Sequence, residues 1–168
     1  MIETKRLILR PLAPRDEEAF LSGVSDGELR RLYGLPAELD EDKARRLFMQ
    51  FCSLPAAYGL ILKTDGVLTG FLLDVPAELP EDVLRALPAG GRTLAYAVFA
   101  PHQRQGYMQE ALRALIDGYR QSRTAPFLHG GHFPFNEPSR RLLQSLGFSE
   151  YGRHDLRGSV VVDEILFL

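Results

Sequence analysis

In the second half of the chain a strand, a tight turn and a long helix follow one another without a linker, and this succession limits the folds open to it. Residues 93–100, with Leu94, Tyr96, Val98 and Phe99, read as a strand. Residues 107–120 place Met108, Leu112, Leu115, Ile116 and Tyr119 at helical spacing, which predicts one apolar stripe. Pro101, His102, Gln103, Arg104, Gln105 and Gly106 must turn the strand into the helix. The first N–H groups of a helix have no intrahelical acceptor, and its dipole puts partial positive charge there. A diphosphate is therefore stabilised at such a point without many basic side chains. Gly106 permits a close backbone approach or a positive φ angle. A plain strand-to-helix turn accounts for the same residues. The dinucleotide pattern G-x-G-x-x-G and the P-loop G-x-x-x-x-G-K-[ST] are both absent, which counts against the two commonest rival uses of such a turn.

The length of 168 residues fits one domain spanning 1–168, long enough to bury a core without disulfide or metal support. A hydrophobic share of 45%, a charged share of 25% and a net charge of −2 place the chain among soluble globular proteins, and no basic field points to nucleic acid. Cys52 is the only cysteine, so no internal disulfide can form and a reducing compartment is the simpler reading. Beside Phe48 and Phe51 it reads as a core thiol rather than a nucleophile. The start, Met1 to Arg6, lacks the apolar core of a signal peptide, and no apolar run is long enough to span a bilayer. The expectation is a cytoplasmic protein without membrane contact.

Alternation through Leu7 and Leu9 predicts a half-buried strand over residues 5–12, followed by a short helix from Pro14 that Gly23 ends. Asp40 caps a helix whose apolar face is Ala44, Leu47, Phe48 and Phe51. Residues 58–63 and 67–75 form an antiparallel hairpin about Asp65 and Gly66. Residues 76–91 are an excursion inside the domain, with one or two helical turns over 80–87. Residues 125–135 are extended, 137–146 helical with Gly147 as the stop, and 151–156 and 160–168 close the chain as a hairpin.

Gln103, Gly106 and Met108 resemble the phosphate-binding pattern Q/R-x-x-G-x-G/A of the GCN5-related N-acetyltransferase (GNAT) superfamily. Methionine in the last position is similar to the ribosomal-protein N-terminal acetyltransferase (RimJ/RimL-like) branch. The opening Thr4 to Arg10 and the run Gln109, Glu110, Ala111, Leu112 resemble that branch too. Asn136, Ser139, Leu142, Leu143, Gly147 and Phe148 resemble the family's N-x-x-S helix closed by Gly-Phe. The resemblance implies a mixed, mostly antiparallel α/β (α+β) sheet of about seven strands flanked by helices and splayed between the fourth and fifth. It implies acetyl-CoA as cosubstrate, an amine acceptor and acetyl transfer by direct attack in a ternary complex.

By the same resemblance, Gln103, Arg104 and Gln105 with the N–H groups of Gly106, Tyr107 and Met108 hold the phosphates. The backbone of Val98 and Phe99 pairs with the pantetheine arm or polarises the thioester carbonyl. Asn136 bonds the arm, although an asparagine there is also an ordinary helix cap. Ser139 corresponds to the serine near the CoA sulfur, where it protonates or hydrogen-bonds the leaving thiolate; a first-turn helix residue is its other reading. Leu143 replaces the tyrosine that many members use as the acid. His132, near where relatives carry a catalytic glutamate, is the candidate base, against a structural histidine. Asp74 and Tyr96 are weaker candidates. His129 and His132 have no further suitably spaced ligands, so no metal is expected. The rival functions are a non-catalytic acyl-CoA-binding or regulatory module and a nucleotide-binding module. A final strand ending at Leu168 offers an edge for a homodimer.

Overall fold

The computed structural model describes residues 1–168 and contains eight β-strands and six α-helices, one strand more than expected. Two compact units make up the chain, residues 1–73 with 96–114 and residues 74–95 with 115–168, so the fourth and fifth strands and the fifth helix each belong to both. Strand pairing is mostly antiparallel, the mixed α/β arrangement that the family resemblance implies.

The first unit holds β1 (Ile2–Glu3), β2 (Leu7–Pro11), β3 (Ala57–Leu62), most of β4 (Leu68–Pro76) and the end of β5 (Arg92–Val98), in the order β1-β2-β3-β4-β5. β2 is antiparallel to β3 from Leu7 opposite Leu62 to Pro11 opposite Tyr58, and its alternation buries Leu7 and Leu9 completely. Asp65 turns β3 into β4 by accepting the Val67 N–H at 3.0 Å. The helices are α1 (Glu17–Val24), α2 (Gly27–Tyr33), α3 (Glu41–Ser53) and the first half of α5 (Tyr107–Ser122). Asp40 caps α3 as expected, its Oδ1 accepting the Lys43 N–H at 2.8 Å. The short helix α2, which the apolar pattern does not signal, is capped in the same way by Asp26 and Leu29. Gly23 does not end α1 but lies inside it. A Cβ there would stand 2.3 Å from the Phe99 ring, so the position is kept open for that ring.

Phe20 lies at the centre of this core, its ring centroid 5.4 Å from Phe48, 5.5 Å from Phe51 and 5.7 Å from Phe71. α1 and α3 thus converge on β4 through aromatic contacts, and Phe99 at the end of β5 joins the same cluster. Because Phe20 is fully buried, Phe20→Ala should lower stability by about 3–5 kcal/mol in denaturant titration.

The second unit holds α4 (Glu81–Ala86), the start of β5, the end of α5, β6 (Phe127–His132), α6 (Glu137–Ser145), β7 (Ser149–Leu156) and β8 (Ser159–Phe167). Its strand order is β5-β6-β8-β7. β5 and β6 are parallel and paired only at Arg92 with Leu128 and Thr93 with His129, which is the expected splay. β8 lies between β6 and β7, so the open edge is β7 and not the final strand. Residues 77–91 fold back within the unit. The Ala77 N–H donates to the Gly91 carbonyl at 3.0 Å, and Leu87 is buried with Phe127 and Ile165.

Adjacent residues of β8 place two buried carboxylates on opposite faces. Asp163 faces His129 and His154, with Nε2 of His129 at 3.0 Å and Nδ1 of His154 at 2.8 Å. Nδ1 of His129 lies 2.9 Å from the Thr93 hydroxyl, which also accepts the Glu78 N–H at 2.9 Å. Burial pushes the Asp163 carboxyl up, but the hydrogen bonds from His129 and His154 outweigh it and hold it below the usual aspartate value. A depressed folded value means that the stabilisation is present above the unfolded value of about 3.9 and is lost as pH falls through the folded one. Asp163→Asn should therefore cost about 1–3 kcal/mol at neutral pH, and its deficit against the parent should shrink below about pH 4 in thermal melts.

Candidate functional site

In the first unit, the chain leaves β5 at Val98 and makes a 3₁₀ turn over Ala100–His102, with the His102 N–H bonded to the Phe99 carbonyl at 2.8 Å. Nε2 of Gln103 closes the corner by donating to the Val98 carbonyl at 3.0 Å, so this side chain shapes the turn. Arg104 and Gly106 then adopt left-handed φ angles of 60° and 77°. Only glycine does so without a steric cost, which accounts for residue 106; Arg104 bears a local strain of the order of 1 kcal/mol. The side chains of residues 103–105 are exposed, and Met108 is buried.

α5 starts at Tyr107, and its ladder begins with the Glu110 N–H on the Gly106 carbonyl at 3.1 Å. The N–H groups of Tyr107 and Met108 precede that ladder and lie at the positive end of a 16-residue helix. Phe99 is less available than expected. Its N–H donates to the Thr69 carbonyl at 2.8 Å and its ring is buried in the aromatic core. Strand alternation sends the Val98 N–H to the side away from β4.

Sequence reading did not find the residues that hold this turn from behind. Glu110 accepts three hydrogen bonds: from the Thr4 hydroxyl at 2.6 Å, the Arg6 N–H at 2.7 Å and Arg6 Nε at 2.6 Å. Arg6 Nη1 donates to the Gln105 carbonyl at 2.9 Å, and the guanidinium lies 4.6 Å above the Tyr107 ring. Burial pushes the Glu110 carboxyl up, but the hydrogen bonds from Thr4 and Arg6 hold it below the usual glutamate value. Their sequence signal was the resemblance of residues 4–10 and 109–112 to one branch of a family, which does not show that they meet.

In the second unit, β6 ends at His132 and α6 begins after Asn136. Asn136 Oδ1 accepts the Ser139 N–H at 3.2 Å, so the cap reading of this asparagine holds, and Asn136 and Ser139 are both half-buried at the start of the helix. His132 is buried. Its Nδ1 lies 3.0 Å from the Phe133 carbonyl and its Nε2 lies 3.3 Å from Glu164 Oε1. A carbonyl cannot donate, so Nδ1 carries a proton in this contact. Nε2 faces the Glu164 carboxyl, so both ring nitrogens are engaged. Glu164 is fully buried, and Gln144 Nε2 approaches the same Oε1 at 3.5 Å. His132 also borders a shallow cavity with Glu137, Arg140, Glu150 and Arg153. Arg140 and Arg141 hold the Glu137 carboxyl down to about 2.

Asp74 is taken up by its neighbours. Its Oδ1 accepts Arg92 Nε at 2.8 Å and its Oδ2 accepts the Tyr119 hydroxyl at 2.6 Å. Burial, reinforced by Asp74, pushes that phenol up to about 12. Tyr96 is half-buried on β5. Of the expected site residues, 98–108 lie in the first unit and His132, Asn136 and Ser139 in the second.

The model of the acetyltransferase (GNAT) domain matches residues 6–149, most of the chain. An uncharacterised N-acetyltransferase of Bacillus subtilis, YoaA, is 26% identical over 155 residues, covering 90% of this chain and 84% of the relative. The crystal structure of a GNAT-family acetyltransferase from Bacillus anthracis superposes with a TM-score of 0.81 at 16% identity, covering 99% of this chain and 97% of the other. The structure of RimL, a ribosomal-protein α-N-acetyltransferase, superposes with a TM-score of 0.74 at 17% identity, covering 100% of this chain and 96% of the other. At these identities the two structures speak for the fold. Together with the family match over residues 6–149, they establish that the chain belongs to the GNAT acetyltransferase family.

Proposed function

We propose that this chain is an N-acetyltransferase that passes the acetyl group of acetyl-CoA to a primary amine, a protein or peptide N-terminus or a small amine, by direct attack in a ternary complex. The observation that carries the reading is the entry to α5, where left-handed backbone at Arg104 and Gly106 precedes the unladdered N–H groups of Tyr107 and Met108. Donors of this kind suit a diphosphate. Arg104 and Gln105 add side-chain contacts, while Gln103 acts by closing the turn onto Val98.

Acetyl-CoA supplies a thioester-activated acyl group, and the remaining tasks fall to residues of the chain. The Val98 N–H is assigned to the pantetheine arm and the thioester carbonyl, where a fixed donor stabilises developing negative charge. Phe99 contributes through its buried ring, since its N–H is already bonded to Thr69. Asn136 is assigned to the pantetheine arm and Ser139 to the departing sulfur, which its hydroxyl can protonate or hydrogen-bond.

An α-amine, with a pKa of about 7.7–8.0, has an appreciable neutral fraction near pH 7 and needs little help to lose its proton. That favours an N-terminus over a lysine side chain, in agreement with the RimJ/RimL-like features of residues 4–10 and 109–112. His132 meets Glu164 through Nε2, so its part is to position the β6–α6 corner and to relay a proton only once that contact opens. We place the protein in the cytoplasm, since the single thiol of Cys52 suits a reducing compartment, and take β7 as the edge on which a second copy would pair. No metal takes part in this scheme.

The engaged nitrogens of His132 also favour a second reading, a module that binds acyl-CoA without turning it over. Incubating the purified protein with acetyl-CoA and a panel of amines while following free thiol separates the two; tight CoA binding with no thiol release on any amine selects the second. Gly106→Asp puts negative charge at the diphosphate and should weaken CoA binding by at least about 100-fold in calorimetry. Ser139→Ala should lower kcat by about 100-fold or more with CoA affinity little changed, the mark of a group acting on the leaving thiolate.

A further inference from the structure

We propose that Arg6, anchored by Glu110 and Thr4, is a positioning residue that locks the Gln105–Gly106 peptide so that its N–H faces the diphosphate. The inference rests on the acetyl-CoA reading of the turn and adds a brace to it. A peptide group is planar and trans, so its C=O and N–H point in opposite directions. Fixing one direction fixes the other. The Gln105 carbonyl is held by Arg6 Nη1 at 2.9 Å, which directs the Gly106 N–H away from Arg6. Rotation of this peptide would turn the carbonyl toward the anion and remove a donor at the same time. Gly106 at φ 77° has no Cβ to resist such a rotation, and Gln105 and Gly106 are both exposed, so packing does not prevent it either.

The anchor is rigid on the other side. Arg6 Nε meets Glu110 Oε2 at 2.6 Å, and Oε1 takes both the Arg6 N–H and the Thr4 hydroxyl. Tyr107 lies under the guanidinium at 4.6 Å and fixes its plane. Glu110 stands in the first turn of α5, where a bare carboxylate would repel a bound diphosphate. Its two oxygens are instead spent on the brace.

Two explanations of Arg6 give opposite signs for one substitution. If Arg6 contributed only positive charge near the anion, Glu110→Ala would remove a nearby negative charge and tighten CoA binding. If Arg6 acts as a brace, Glu110→Ala frees the guanidinium and weakens binding.

The experiment measures CoA affinity by calorimetry for the parent chain, Arg6→Ala, Arg6→Lys and Glu110→Ala, with thermal melts of each and kcat at saturating acetyl-CoA. Both alanine variants should bind CoA about ten- to a hundredfold more weakly, with kcat near the parent value. Arg6→Lys should fail to rescue, because one ammonium cannot reproduce the planar fork that holds Glu110 and the Gln105 carbonyl together. The Gly106 amide resonance should shift in ligand-free Arg6→Ala and Glu110→Ala. Should one variant fail to fold, the other and Arg6→Lys still decide. Unchanged or tighter binding in Glu110→Ala, or full rescue by Arg6→Lys, overturns the brace while leaving the CoA reading standing. Absence of CoA binding by the parent chain overturns the CoA reading itself.

Discussion

The strand-to-helix corner of the first unit depends on left-handed backbone at Arg104 and Gly106. A short connection joins β5 to α5 there, and it holds two left-handed residues just before the helix begins at Tyr107. The first N–H groups of α5 precede its hydrogen-bond ladder. The strain at Arg104 persists because its surroundings fix the turn on both sides. Gln103 binds the turn back onto Val98, and Arg6 binds it back onto the N-terminal strand region. The aromatic cluster around Phe20 holds the strand end rigid through Phe99.

Charge placed inside the second unit follows from the same need to satisfy buried groups. Asp163 and Glu164 interrupt an apolar run in the middle of β8, and strand alternation sends them to opposite faces. Each meets a histidine of β6 on its own face, His129 for Asp163 and His132 for Glu164. A carboxylate left alone there would cost several kcal/mol, so carboxylate and imidazole are retained together. Histidine at position 132 is therefore tied to glutamate at 164 before any question of catalysis arises. This is why a chain with four histidines presents no obvious free base at the end of β6.

Much of the fold was legible. The apolar period of α5, the Asp40 cap of α3, the Asp65 hairpin and the strand-to-helix turn are all local, and each depends on neighbours within a few positions. α2 was missed because seven residues are too few to establish a period, and its Asp26 cap has no glutamate partner three residues on. Gly23 was misread because the signature of a helix stop and that of a ring's resting place are the same residue; only the approach of Phe99 separates them. Order along the chain does not reveal order in a sheet, so the final strand, expected at an edge, lies between β6 and β7.

Residue order was enough to identify the family and the strand, turn and helix of residues 92–122, since a motif is a set of local geometries carried by adjacent residues. Tertiary structure alone decided which groups remain available. Phe99 loses its N–H to Thr69, His132 loses both nitrogens to Phe133 and Glu164, and Asp74 is claimed by Arg92 and Tyr119. It also recruited Arg6 and Glu110, which are 104 positions apart, to the back of the turn. Hydrogen-bond partners of this kind are fixed by proximity after folding, and separation along the chain carries no record of them.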